Sequence, residues 1–177
     1  MSTRKQFIQA AITGTAGLLL FPALISAAEP KKKKRRRISD SLVKDFVGKA
    51  HRDMDAVIAM HKEHPTLLNA AWDWGGGDFE TALGAASHVG YMEMVDYLVK
   101  NGAQMNFLTL CLLGKTDLVK AMLTMQPELL HMRGPHGFTP LHHAARGGEK
   151  ALEVKKLLEE LGAKEMKINL FPVEENC

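Results

Sequence analysis

The chain has 177 residues, 46% of them hydrophobic and 24% charged, a balance that excludes both a disordered chain and a membrane bundle. The formal charge is +3, yet residues 38–177 hold 14 Lys/Arg against 19 Asp/Glu, a balance of −5. A nucleic-acid-binding domain carries its basic residues on the fold itself, and this one does not. Two cysteines, Cys111 and Cys177, make neither a disulfide framework nor a zinc pattern. An oxidising compartment would permit a bridge between them, but Cys111 lies in the apolar run 108–113 and reads as a buried small hydrophobe.

Residues 1–28 read as an export signal: Arg4 and Lys5, an apolar segment from Ala10 to Ile25, then small residues at Ser26, Ala27 and Ala28. The apolar stretch is about 16 residues and holds Gly14, Gly17 and Pro22, which is short for a membrane span. The start, Arg4-Lys5-Gln6-Phe7-Ile8, resembles the twin-arginine export signal, with Lys5 in place of the second arginine. That resemblance implies export, already folded, to the periplasm or envelope of a bacterium. Residues 29–39 are a basic linker around Lys31–Arg37. It is read as solvated, with weak contact to an anionic membrane surface as the alternative.

The remainder repeats. Thr81–Gly90 (TALGAASHVG) aligns with Thr139–Gly148 (TPLHHAARGG), 58 residues on. Apolar positions at helical spacing recur after Gly90, Gly114 and Gly148. Asn101-Gly102-Ala103 and Leu161-Gly162-Ala163 close two of these helices, with glycine at the position that favours a left-handed backbone. Two further helices are predicted at 42–51 and 54–63. The connections His64–Asn69 and Gln126–His131 echo each other.

Gly137-Phe138-Thr139-Pro140-Leu141-His142-His143-Ala144-Ala145 and the ending Asn101–Asn106 resemble the ankyrin repeat. The resemblance covers 40–163, is strongest over Asp78–Asn106 and Gly137–Ala163, and departs from the family at Ala82 and Gly84. It implies an all-α fold: a helix-turn-helix repeat solenoid with short β-hairpin fingers. Four units are expected, 40–69, 78–106, 107–133 and 137–163, the first and third degenerate, followed by a tail, 164–177. Thr139 would cap a helix, with Thr81 at the matching place in the earlier repeat, Pro140 would start one, and His142 would bond a neighbouring backbone. Gly90 and Gly114 would turn the chain between helices, and Gly102 and Gly148 hold repeat positions.

Chemical motifs are scarce. His61 and His64 are three residues apart and His142 and His143 are adjacent, but no cysteine or carboxylate set joins them at ligand spacing. The histidines are therefore read as structural or solvated, with no metal and no cofactor expected. Asp73, Asp78 and Glu80 lie in a loop, and a hydrolase using loop carboxylates with His88 is the competing reading. No phosphate loop or nucleophile elbow is present.

The loop Trp72–Phe79 carries both tryptophans and runs about four residues longer than its counterpart, measured from the matched prolines to the capping threonines. Its indoles would serve either a partner or the core. Place in the matched repeats marks Trp72, Trp74, Phe79, His88, His136, Phe138 and Arg146 as the contact face. The expected function is a non-enzymatic protein-binding scaffold, in its narrower form one that protects or inhibits an exported enzyme. No nucleic-acid partner is expected.

Overall fold

A computed structural model describes residues 37–171; the segment read as an export signal and most of the basic linker lie outside them. The described chain is mostly helical. Its helices are α1 (Asp40–Lys49), α2 (Met54–Glu63), α3 (Ala82–Val89), α4 (Met92–Lys100), α5 (Phe107–Leu112), α6 (Thr116–Met125), α7 (Pro140–Arg146) and α8 (Leu152–Glu160). One antiparallel hairpin pairs β1 (Ala71–Asp73) with β2 (Phe79–Thr81), with Trp72 opposite Glu80. No helix among the described residues is long and apolar enough to cross a membrane.

The helices pair in chain order: α1 with α2, α3 with α4, α5 with α6, α7 with α8. Within this series α1 packs on α3, α3 on α5, and α5 on α7. Side-chain caps start the last three members of the series. Thr81 Oγ1 accepts from Gly84 N–H, Asn106 Oδ1 from Thr109 N–H, and Thr139 Oγ1 from His142 N–H. Each cap satisfies a donor that a helix start leaves without a partner. Gly90 (φ 74°) and Gly114 (φ 64°) turn the chain between paired helices. A side chain at Gly114 would strike the Lys150 backbone, so only glycine fits.

The core has two parts. Phe46, Val47, Val57, Leu67, Leu83, Met94 and Leu98 fill the first; Phe107, Cys111, Val119, Leu141, Val154 and Leu158 fill the second. Cys111 is a free thiol there, and burial pushes its pKa up to about 12. Cys177 lies outside the described residues.

Three local results differ from the sequence reading. The first helix covers Asp40–Lys49, two residues earlier than predicted, so His51 falls in the turn beyond it. The helix expected after Gly148 is delayed by a 3-10 turn, Gly148–Ala151, which leads into α8. The second finger closes on itself through Gly134 N–H to Phe138 O (2.9 Å) and also pairs with the tail. Phe138 bridges to Lys167, Thr139 N–H donates to Met166 O, and Ile168 N–H donates to Gly137 O. The echo between Pro65–Asn69 and Pro127–His131 is a shared 3-10 turn entered through nearly the same backbone angles, φ −129° and ψ 74° at His64, φ −144° and ψ 85° at Gln126.

Candidate functional site

The hairpin is fixed from inside its own turn. Asp73 Oδ1 accepts from Gly75 N–H (2.8 Å) and Gly77 N–H (3.1 Å). Strand alternation then sends Phe79 outward and Glu80 inward. Glu80 is buried with no exposed side-chain surface. Its Oε2 accepts from Trp74 Nε1 at 2.8 Å.

Three imidazoles meet this carboxylate. His88, in the last turn of α3, brings Nε2 to 2.9 Å from Glu80 Oε1. His51, in the turn after α1, places Nε2 at 3.6 Å from Oε2, and His136 places Nε2 at 3.5 Å from the same oxygen. His51 Nε2 and His88 Nε2 are 3.1 Å apart. The His88 approach is short but outside hydrogen-bond geometry, and Glu80 Oε1 has no hydrogen-bond partner. A buried carboxylate oxygen left this way costs about 1–3 kcal/mol.

Each outer ring is held from behind. His51 Nδ1 donates to Gly48 O at 3.0 Å. Asp78 grips His136 twice, through the backbone N–H (2.9 Å) and through Nδ1 (2.7 Å). These bonds hold His136 at φ 57°, a left-handed conformation that non-glycine residues adopt at a cost. His88 stacks on Phe138 (4.9 Å between centroids), and Phe138 stacks on His142 (4.1 Å). His142 Nε2 donates to His88 O at 2.8 Å. Burial lowers the pKa of His142 and takes that of His143 down to about 4, against the pull of the Thr139 carbonyl on His143.

This arrangement corrects two sequence expectations. His88 was placed on an exposed contact face, but it is buried, because the α3 helix turns it toward Glu80. A carboxylate does join histidines at ligand distance, through His51, Glu80, His88 and His136, whose donor atoms all lie within 4.8 Å of one another. Among the described residues, these four could hold a metal ion.

The other residues of the expected contact face divide. Phe79 (62% exposed) and Trp74 (37%) reach solvent. Trp72 is half-buried against the first core, with Lys44 Nζ 5.8 Å from its ring centre. Phe138 is half-buried in the aromatic stack, and the Arg146 stem lies against Gly90. His61 bonds Tyr97 Oη at 2.9 Å and stands apart from the cluster. The hydrolase reading loses its free carboxylates: Asp73 holds the turn, and Asp78 holds His136. Phe171 belongs to the expected tail, and its ring lies against the hairpin turn, where a Cβ at Gly76 would meet it at 2.6 Å.

No curated protein matches the chain. The ankyrin repeat family model matches residues 78–110 and 136–169, segments that hold Glu80, His88 and His136 but not His51. Ankyrin repeat domains are in general non-catalytic protein-binding modules. The two matches, falling on the Thr81 and Thr139 helix starts, support the ankyrin repeat family for this chain.

Proposed function

We propose that the chain is a non-enzymatic protein-binding scaffold, a solenoid of stacked helix pairs exported to the bacterial periplasm or envelope. The observation that carries the reading is the hairpin. It presents Phe79 and Trp74 outward on a turn that Asp73 and Glu80 pin from within. An aromatic anchor that is already ordered loses little freedom on binding, which favours affinity. The general protein-binding role of ankyrin repeats supports the same conclusion. In its narrower form the partner is an exported enzyme that the scaffold protects or inhibits. The signal-like segment 1–28 supports export and lies outside the described residues.

The test is capture from envelope extract by the wild-type chain and by Phe79→Ala, with both shown folded by circular dichroism. A partner held by the first and lost by the second is expected; identical capture by both, or none by either, overturns the reading. Export is tested separately by replacing Arg4 and Lys5 with Gln, which is expected to leave the protein in the cytoplasm.

A further inference from the structure

We propose that His51, Glu80, His88 and His136 form a closed site for one divalent transition-metal ion of the zinc class. The inference is independent of the binding reading.

The spacing fits such an ion. Zinc bonds imidazole nitrogen and carboxylate oxygen at about 2.0–2.2 Å, and a tetrahedron of that size sets its ligand atoms about 3.3 Å apart. His88 Nε2 lies 2.9 Å from Glu80 Oε1 and 3.1 Å from His51 Nε2, His136 Nε2 and His51 Nε2 lie 3.5 and 3.6 Å from Glu80 Oε2, and one donor atom from each residue falls within 4.8 Å of all the others, a span that a small closing movement brings to the tetrahedral value. The donor set of three imidazoles and one carboxylate suits zinc and its first-row neighbours, whereas magnesium and calcium prefer oxygen.

Proton accounting points the same way. The Nδ1 of His51 faces a carbonyl and the Nδ1 of His136 faces a carboxylate, so each neutral ring keeps its proton there. Both therefore turn an Nε2 lone pair toward the centre. Two lone pairs and the Glu80 carboxylate thus converge on one point, beside His88 Nε2. A single proton from His88 serves one acceptor at a time, whereas a dication serves all four groups at once. It also supplies the partner that the buried Glu80 Oε1 lacks.

The surroundings have the form of a supporting layer. Metal-bound histidines commonly donate their second N–H to a carboxylate or a backbone carbonyl, which fixes the ring and its tautomer. Asp78 does this for His136 and Gly48 O for His51, while Trp74 orients Glu80. With four protein ligands the site is complete, which marks it as structural rather than catalytic. It would tie the end of α1, the hairpin, α3 and the finger before α7 to a single point.

The experiment uses the full chain, purified without a histidine tag. Elemental analysis is expected to find one zinc-class ion per chain. After chelator dialysis, titration with Zn²⁺ alone should restore one site, and free Zn²⁺ at about 100 times Kd should raise Tm by about 10 °C. Co²⁺ loading should give the visible absorption of a four-coordinate ion. His51→Asn and Glu80→Gln should weaken binding by about 100-fold or more, while His61→Asn leaves it unchanged. His51 sits in a partly exposed turn, so His51→Asn keeps the test valid if Glu80→Gln does not fold. A chain that carries no ion and whose Tm ignores Zn²⁺ would show a proton-held ion pair instead, and overturn the proposal. Equal binding by wild type and His51→Asn would overturn it as well, as would a Tm that responds to Mg²⁺ or Ca²⁺ rather than Zn²⁺.

Discussion

The two threonine-capped segments, 78–90 and 136–148, are the same local design carrying opposite chemistry. Both start an inner helix from a Thr whose Oγ accepts from the N–H three residues on. At the position before that Thr, the first carries Glu80 and the second Phe138. Four residues past Thr81 the first has Ala85, and the second has His143. The segments even touch through equivalent positions: Asp78 grips His136, 58 residues away. The repeat fixes where side chains go and leaves open what they are, so a buried charge can occupy an apolar place once its neighbours supply nitrogen.

The strongest way to break this comparison is to truncate the two equivalent residues. Glu80→Ala is expected to cost about 4 kcal/mol, because it leaves three imidazoles converging on nothing. Phe138→Ala, half-buried, should cost about 2 kcal/mol. Urea unfolding at neutral pH measures both. A larger loss at Phe138 would mean that the carboxylate is not the keystone of the site.

Acid should expose the second difference. The unfolded His143 takes its proton near pH 6.5, while the folded ring does so only near 4. Between those values the unfolded chain binds more protons, so stability falls as pH drops through that window. The full loss is about 3 kcal/mol. His142, shifted in the same direction, adds to it. His143→Ala, which copies Ala85, should flatten the acid limb of a stability–pH curve; an unchanged limb would place the titration elsewhere.

Much of this was legible in the sequence. The Thr-Pro start at Thr139 and the turn at Gly90 follow from local rules of capping and backbone freedom, which act over three or four residues. The cluster was not legible, because its members stand 29, 8 and 48 residues apart in the chain and meet only through stacking. His51 was hidden further by a helix end placed two residues late. One signal was available: Glu80 occupies the position where its repeat partner is Phe138, and a charge on an apolar place asks for a partner.

The caps offer a finer comparison. Thr81→Ala should cost about 1 kcal/mol, as removal of an N-cap usually does. Thr139 does more, since its Oγ1 also donates to Glu165 O at 2.6 Å and so holds the tail. Thr139→Ala should cost about 2 kcal/mol. Equal thermal shifts for the two variants would show that the tail contact adds nothing.

The smallest effect is expected at the residue that matters most for binding. Phe79 neighbours Glu80 in β2, yet alternation turns it into solvent, where it is 62% exposed. Phe79→Ala should change stability by less than about 0.5 kcal/mol, since an exposed side chain makes few contacts to lose. Glu80→Ala, one residue on, stands at the opposite extreme. If Phe79→Ala instead lowers stability by more than about 1 kcal/mol in thermal unfolding, the ring is packing on the fold. Phe79 would then belong with Phe138 as a structural aromatic, and the hairpin would lose its claim to be a prepared contact face.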